Sequence, residues 1–550
     1  MRSYLCTFLL LATGACGAGS SGDAPSGNGS GGGGNVSFGG AQDIGQFRAI
    51  LDRGAIPPAN ALDANGFFNE HYNQTPPADC GGTLCLTPGL SVGRDWLTGG
   101  HQATLQIAVA TPVDPSTYHR LPLNLVVVVD HSGSMASDGR LDKVKVGLNT
   151  LVDNLLPEDR LSLISFDDTV TTEATFTPTL DRASLHAAVN RLQPRGGTNI
   201  YAGLEAGFNV LGEYPKTENQ NRVIFLSDGL ATVGNTSRPA IMDMARGWIG
   251  KGIGLTTIGV GNDFDVDLMR GLAENGAGNY YFLDDGAAAS EVFTEELDFF
   301  MSPLALDVRV EATAGTGWTF GEVVGSHLWT SQPSAGSMSI PAVFLASRTS
   351  QNPTDGRRGG GSMIFIHLDP TNDASSKVAD LKLSYRAPGS QEIITQTVSL
   401  DYAADPQETP ADPYLSGTEM AERYAMYNLF LGIRQATMSD VTCAAAALTA
   451  TRTAAVSWNE RHADPDTAAD LVLIDQYLAN LRTYGATEVP ASTLASCPQA
   501  DDPYYPDGGE PGYGNDVQQP VMMCSSSKAS AGWLVMLGSV LLVVRRRRRR

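Results

Sequence analysis

Basic residues are scarce in this chain, and the few that cluster sit at one end. Lys and Arg number 37 against 59 Asp and Glu, a formal charge of −22 over 550 residues. Arg2, Lys528 and Arg545 to Arg550 lie in two end segments, 1–16 and 524–550, that hold no acid, so the body between them stands at −30. A surface that acidic repels phosphate backbones, which argues against a nucleic-acid partner and favours cations and cationic surfaces. Cysteine is sparse too, seven in all, with no Cys-x-x-Cys pair and no Cys/His cluster, so a zinc site is not expected. The eight histidines are scattered without ligand spacing. The longest mostly apolar run, Ala529 to Val544, makes a helix of about 24 Å, short of the ~30 Å hydrocarbon core. What is present in quantity is apolar residue, 42% of the chain. That excludes wholesale disorder, and the length implies three or four modules rather than one core.

The ends read as addresses. Arg2, the apolar run Tyr4 to Leu11 and the small residues before Cys16 form a secretory signal. The small residues resemble a bacterial lipoprotein processing site, which would make Cys16 the lipidated N-terminus; a plain signal peptide is the alternative. Gly17 to Gly34 is almost wholly Gly and Ser, a flexible tether. At the other end Cys524, the short apolar helix and six arginines resemble the C-terminal sorting tails of myxobacterial surface proteins, with Cys524 as the processing site. A permanent single-pass transmembrane anchor is the simpler alternative. In both cases the arginines stay cytoplasmic and the body is exported. Cys6 leaves with the signal, so Cys80, Cys85, Cys443 and Cys497 remain as an even set for an oxidising compartment. Four cysteines allow three connectivities, of which local pairing, Cys80–Cys85 and Cys443–Cys497, is the one expected.

The central third carries the chemistry. Leu125 to Val129 is an uninterrupted apolar run, as expected of a strand covered on both faces. Further strands are expected at Leu161–Phe166, Val223–Leu226, Leu255–Val260 and Asn279–Leu283, and helices near Leu141–Leu156, Ala183–Leu192, Ile200–Leu211, Pro239–Gly250 and Asp265–Glu274. Such alternation predicts a doubly wound, Rossmann-like α/β sheet whose ligands bind beyond the carboxyl ends of the strands. Three polar clusters are placed to meet there: Asp130-His131-Ser132-Gly133-Ser134, Gly196-Gly197-Thr198-Asn199 and Ser227-Asp228-Gly229. They offer carboxylates and hydroxyls only, a donor set that suits a hard cation. Hydroxyl ligands are neutral, so an ion held mainly by them keeps much of its charge and seeks an anionic oxygen from outside.

Asp-x-Ser-x-Ser after a buried strand, a downstream Gly-Thr and a later Ser-Asp-Gly together resemble the von Willebrand factor A (VWA) domain and its metal-ion-dependent adhesion site (MIDAS). The resemblance implies Ser132, Ser134 and Thr198 as hydroxyl ligands, Asp130 and Asp228 as direct or water-mediated ones, and Mg²⁺, or Mn²⁺ or Ca²⁺, as the ion. His131 fills the variable position and is expected to face solvent. Phe47-Arg48, Gly54 to Pro58, Asn69-Glu70-His71-Tyr72 and Glu419-Met420-Ala421 resemble bacterial VWA lipoproteins of the YfbK type, so that similarity covers about residues 45–485.

The flanks, His101–Ala110 and Leu304–Tyr402, are rich in alternating β-branched runs and are expected to pair into a β-sandwich into which the VWA domain is inserted. Ser416-Gly-Thr-Glu419 has the form of a capping box ahead of a stripe of Met420, Tyr424, Tyr427 and Leu431, read as an ordinary packed helix; another helix is expected near Thr467–Arg482. Val292, Phe293, Leu297 and Phe300 suggest a final VWA helix running into Leu304, either packed on the sheet or able to shift with ligand. The expected division is signal 1–16, linker 17–34, N-terminal region contributing to the sandwich 35–122, VWA domain 123–302, β-sandwich 303–405, helical C-terminal region 406–498, linker 499–523 and tail 524–550.

Gly89-Leu-Ser91-Val-Gly93 fits the hydrolase nucleophile elbow, but Thr87-Pro88 precedes it and no helical pattern follows. With no base placed beside the five-residue site, the sequence points to a non-enzymatic protein of the bacterial cell envelope, at the outer membrane or cell surface. It would be held to the membrane through its N-terminal lipid or its tail and would grip an acidic residue of a protein ligand. An assembly scaffold with a structural metal is the alternative, and a metal-assisted hydrolase a third.

Overall fold

The computed structural model describes residues 34–497, apart from 74–77, 115–117, 178, 217–218, 262–263, 284–291, 294–302, 347–360, 372, 404–411 and 487–488. Cys16, Cys524, Leu297 and Phe300, with the signal, tether and tail, therefore lie outside the described residues. Of two compact units, Met1–Pro511 and Gly512–Arg550, only the first holds described residues. No helix among them is long and apolar enough to cross a membrane.

The described chain opens with two short strands, β1 (Gly34–Ser37) and β2 (Gly40–Ala41), and two helices, α1 (Gly45–Asp52) and α2 (Ala64–Asn69). Two long strands follow, β3 (Cys85–Arg94) and β4 (His101–Thr111). The alternating stretch then runs β5 (Leu123–Asp130), α3 (Arg140–Asn154), β6 (Arg160–Phe166), β7 (Val170–Ala174), α4 (Arg182–Arg191) and α5 (Ile200–Glu213). It continues through β8 (Gln220–Ser227), α6 (Arg238–Ile249), β9 (Gly254–Val260), α7 (Val266–Asn275) and β10 (Asn279–Leu283).

These strands form a seven-stranded sheet in the order β2-β10-β9-β8-β5-β6-β7, parallel except for β7, which runs antiparallel to β6. β5 is buried along its whole length, and its alternate residues serve opposite faces. Leu125, Val127 and Val129 pack with Leu141, Val144 and Leu148 of α3 and Leu185 of α4. Val126 and Val128 pack with Leu204 and Phe208 of α5, Ile241 of α6 and Leu272 of α7. That double cover is why β5 reads as a continuous apolar run. The chain leaves β5 toward β6 on one side and returns to β8 on the other, so a topological switch point lies between β5 and β8. Val292 and Phe293 are buried against the α3 and α4 face.

After the sheet come β11 (Pro303–Ala314), β12 (Trp318–Val324), β13 (Thr330–Gln332), β14 (Ala335–Leu345), β15 (Met363–Pro370), β16 (Lys377–Arg386), β17 (Ile393–Asp401) and β18 (Tyr414–Leu415). With β1, β3 and β4 they make an eleven-stranded sheet. Leu105, Ile107, Ile364 and Ile366 from one half and Val308, Val310, Leu381 and Leu383 from the other share one core, so the sheet folds on itself as a sandwich. β1 makes this possible: Gly34 and Asn35 pair with β4, while Val36 and Ser37 pair with β14. The VWA-type sheet is inserted between β4 and β11.

Three helices close the described chain: α8 (Met420–Thr437), α9 (Val441–His462) and α10 (Pro465–Thr483). Met420, Tyr424, Tyr427 and Leu431 are buried, as an ordinary packing stripe requires. The capping box is not formed: Ser416 Oγ accepts from Leu90 N at 2.8 Å instead, and the helix starts at Met420 with no side-chain cap. Pairing of β18 with β3 draws Ser416 toward the sandwich. The region 35–122 contributes to the sandwich and also to the other two modules. β1, β3 and β4 join the sandwich, β2 pairs with β10, and α1 and α2 pack on the C-terminal helices. Phe47 meets Tyr477 edge-on at 5.9 Å, and Phe67 and Phe68 meet Phe430 at 5.8 and 5.5 Å. Aromatic anchors of this size outweigh strand proximity in deciding where two short helices dock. Cys80 is bonded to Cys85 and Cys443 to Cys497, the second bridge holding the segment that ends at Cys497 against α9.

One buried pair in this helical core makes stability depend on pH. His71 Nδ1 lies 2.7 Å from the Phe67 carbonyl and Nε2 lies 2.8 Å from Asp470 Oδ2. Both partners accept, so the ring donates from both nitrogens as imidazolium. Burial pulls the His71 pKa down, but the charge and hydrogen bond of Asp470 outweigh it, and the net shift is upward. A base raised in the fold adds stability below its unfolded pKa and loses it as pH rises through the folded one. Denaturant melts from pH 6 to 9 should therefore show stability falling with pH, by up to about 1.4 kcal/mol per unit for one proton. Asp470→Asn should flatten that slope.

Candidate metal site

Beyond the carboxyl ends of β5 and β8 the chain builds a loop cluster at the switch point. Asp130 ends β5, and its Oδ1 accepts from Ser132 N at 2.8 Å, which folds the next residues back over the strand end. Gly133 N donates to Gly196 O at 3.0 Å and Arg195 N to His131 O at 2.7 Å, tying the first loop to the second. Gly196 is in the left-handed region at φ +66, and a Cβ there would lie 2.8 Å from an Asp168 carboxylate oxygen, so this crossing needs glycine. Asn199 Oδ1 caps α5 by accepting from Ala202 N at 3.2 Å. Thr198 N donates to Thr232 Oγ1 at 3.0 Å and Thr232 N to Thr198 O at 2.9 Å, which locks the second loop to the third.

The result brings together all five residues singled out from the sequence. Ser132 Oγ and Ser134 Oγ are 3.0 Å apart, and Ser134 Oγ donates to Asp228 Oδ1 at 2.7 Å. A point one Cβ above Gly229 lies 3.6 Å from Thr198 Oγ1 and 3.9 Å from Ser134 Oγ, so those two hydroxyls border the same space. Asp130 Oδ2 accepts from Ser227 Oγ at 2.6 Å. Asp130, Ser132 and Asp228 are fully buried and Ser134 is exposed, so the cluster has a dry floor and one wet edge. Burial pushes the Asp130 carboxyl up to about 6; bonds from Ser227 and Ser132 pull it back, and the charge of Asp228 adds to the rise. Two buried carboxylates facing three hydroxyls form an all-oxygen donor set whose like charges a divalent cation would offset, and that fits Mg²⁺.

Several neighbours were not legible beforehand. Arg140, the first residue of α3, places Nη1 2.8 Å from Asp228 Oδ2. Ser227 and Thr232 hold Asp130 and Thr198, and Asp167 accepts from Arg195 Nε at 2.6 Å. His131 corrects the expectation that it faces solvent. It is buried, its Nδ1 lies 2.9 Å from Gln193 O, and Nε2 is 3.8 Å from Asp167 Oδ2, because the loops after β6 and α4 close over it. The hydrolase elbow is absent for a reason other than the one read from Thr87-Pro88: Gly89 to Gly93 lie inside β3, paired with β4, and make no strand-to-helix turn.

A second acidic group lies elsewhere, between α2, α7 and the segment after β12. Carboxylate oxygens of Asp63 and Glu274 and a ring nitrogen of His327 all lie within 4.8 Å of one another. Arg270 Nη1 already sits 3.2 Å from Asp63 Oδ2, and His327 Nε2 is 3.5 Å from the same oxygen. Burial pulls the His327 pKa down, but Glu274 and Asp63 outweigh it and the net shift is upward. Arg270 and His327 already face these carboxylates, and Asp267 joins through Arg270 Nη2 at 3.5 Å, so the group reads as an ion-pair network.

Residues 125–230 match the family profile described as the von Willebrand factor type A domain. The uncharacterized protein YfbK of Escherichia coli (strain K12) is 29% identical over 275 residues, 49% of this chain and 48% of its own length. The uncharacterized protein sll0103 of Synechocystis sp. is 32% identical over 197 residues, 35% of this chain and 45% of its own. The chain thus spans about half the length of these relatives. Among solved structures, a von Willebrand factor type A protein from Catenulispora acidiphila superimposes with a TM-score of 0.46 at 16% identity, covering 71% of this chain and 88% of that one.

Proposed function

Since residues 125–230 carry a von Willebrand factor type A domain, we propose that this protein is an exported, envelope-anchored binding protein and not an enzyme. In this reading Asp130, Ser132, Ser134, Thr198 and Asp228 hold a divalent cation, Mg²⁺ before Mn²⁺ or Ca²⁺. The cation, once bound, supplies a positive centre for an acidic side chain of a protein ligand. Cys16 and Cys524 are the attachment points to the outer membrane or cell surface. The observation that carries the reading is the convergence of three hydroxyls and two buried carboxylates at the switch point, with Ser134 at the solvent edge. The one histidine in the loop is buried with Nδ1 2.9 Å from the Gln193 carbonyl, and among the described residues no hydrogen bond joins it to the hydroxyls, which argues against a general base there.

The test is capture of envelope proteins by the immobilised chain in Mg²⁺ and in EDTA. Capture should fall at least about tenfold in EDTA, and Thr198→Ala should weaken it less than EDTA does, since a neutral donor is lost and no charge. Capture that is equal in both buffers assigns the cation a structural role only and overturns the reading.

A further inference from the structure

A carboxylate stands at the mouth of the site without a cation beside it. Asp167 and Asp168 follow β6 together, but their surroundings differ. Asp167 is buried and accepts from Arg195 Nε at 2.6 Å. Asp168 is exposed, its Oδ1 accepts from Gly197 N at 3.1 Å, and no cationic side chain among the described residues forms an ion pair with it. Exposure has not left it loose. The carboxylate lies along the Gly196-Gly197 turn: a Cβ on Gly196 would come within 2.8 Å of Asp168 Oδ2, and one on Gly197 within 2.7 Å of Oδ1. Two successive glycines therefore make room for one side chain. The next residue is Thr198, assigned above to the cation. One hydrogen bond and one residue of chain put the Asp168 carboxylate within about 10 Å of the Thr198 hydroxyl, which is about one Debye length at 0.1 M salt. The third loop adds an apolar side chain at the same mouth. Leu230 follows Gly229 directly and is 52% exposed, so a chain laid over the site would cover it.

We infer that Asp168 is a specificity-determining residue: among protein segments whose acidic side chain meets the cation, it selects those that carry a lysine or arginine beside that acid. The inference rests on the metal-dependent reading above and adds which acidic segments the site takes. A segment with further acids brings them toward Asp168 and toward a strongly acidic body, and is repelled. An acid accompanied by a base meets the cation with one side chain and Asp168 with the other. The spacing suits an extended segment, in which side chains two residues apart share a face at about 6.6 Å, and the stem of a lysine supplies the remaining reach. The competing role for Asp168 is structural, as the anchor of the Gly196-Gly197 turn. Asp168→Asn separates the two roles, because its amide oxygen still accepts from Gly197 N and only the charge is gone.

Calorimetric titration of Mg²⁺ into the full chain and into Asp168→Asn gives the concentration that fills the site in each, and melting curves confirm folding. Two end-capped peptides are then titrated at low salt, in that Mg²⁺ and in EDTA: Gly-Lys-Gly-Glu-Gly-Lys-Gly, and the same peptide with glutamine in place of both lysines. The parent should bind the lysine peptide about threefold to fivefold more tightly than the glutamine peptide, the range of an exposed ion pair. Asp168→Asn should lose most of that preference. Glu392→Gln, which removes an exposed charge from the sandwich, should keep it. If Asp168→Asn does not fold, Asp168→Ser decides by the same criterion. A parent that binds both peptides alike, or a preference as large in the folded variant as in the parent, overturns the inference and leaves the metal site standing. Binding that is equal in Mg²⁺ and in EDTA, or no binding of either peptide, overturns the metal-dependent reading and the inference with it.

Discussion

Asp130→Ala should abolish Mg²⁺ binding in calorimetric titration, an affinity loss of more than about a hundredfold, while the melting temperature in EDTA does not fall. The two halves of that result have separate causes. For the metal, Asp130 is the one carboxylate of the cluster whose charge no arginine cancels. Without it, three neutral hydroxyls and a paired aspartate remain, and the donor set loses the charge that makes a hard cation prefer it to water. The loop also loosens, because Ser132 N and Ser227 Oγ lose their shared acceptor. For the fold, burial has raised the Asp130 carboxyl to about 6, so at pH 7 the metal-free protein carries an anion that is costly to keep buried. Alanine removes that cost at the same time as it removes two hydrogen bonds. A variant that binds Mg²⁺ like its parent would remove Asp130 from the site.

The largest loss of stability is expected at the opposite end of the same sheet. Asp159 precedes β6 and is fully buried, and it accepts four hydrogen bonds. Arg120 Nη1 and Nη2 donate to it at 2.9 and 2.6 Å, and the amides of Leu123 and Leu156 each donate at 2.7 Å. These bonds join the entry to β5, the entry to β6 and the end of the α3 connection. Asp159→Ala removes the carboxylate that faces a guanidinium whose side chain is only 2% exposed, and leaves two amides without their acceptor. Breaking a buried pair from one side costs about 3–5 kcal/mol, a large share of the ~5–15 kcal/mol available to a domain. Denaturant unfolding should show that loss, and the folded fraction should still bind Mg²⁺ with the affinity of the parent. A loss under about 1 kcal/mol would mean that water reaches Arg120 and the pair is not buried in solution.

How far the sequence discloses this molecule depends on how local each cause is. β5 is legible because double burial leaves a continuous apolar run, and its neighbours follow from the alternation of periods. The five residues proposed for the cation are legible because each is short, polar and close to a glycine, four of them at the ends of β5 and β8 and Thr198 just before α5. Arg140 is not, since nothing in Gly139-Arg140-Leu141 distinguishes an arginine bonded to Asp228 from one in solvent. The same holds for His131, which is buried by loops that arrive more than thirty residues later. β7 is not legible, because Val170-Thr-Thr-Glu-Ala174 is only half-buried and offers no apolar pattern. The sharing of residues 34–70 among three modules was hidden for a different reason. Strands of four and two residues carry too little periodicity to read, and their partners are fixed by distant segments.

That last feature has a kinetic side. β1 is the first described strand to leave the ribosome, yet neither of its partners exists when it emerges. The bond from Phe38 N to Ser362 Oγ closes a separation of 324 residues, and Val36 pairs with Leu345. Loop-closure entropy at such separations must be met before any contact is gained, and long-range pairing of this kind slows folding. Assembly is therefore not expected to follow the order of synthesis: the inserted sheet can fold on local contacts, while β1 has to wait for β14. Until β1 pairs, Ala110 and Thr111 of β4 and Phe344 and Leu345 of β14 lack their β1 partners. A chain stopped before Leu345 would also lack β15, would leave β4 with one open edge and would aggregate through it.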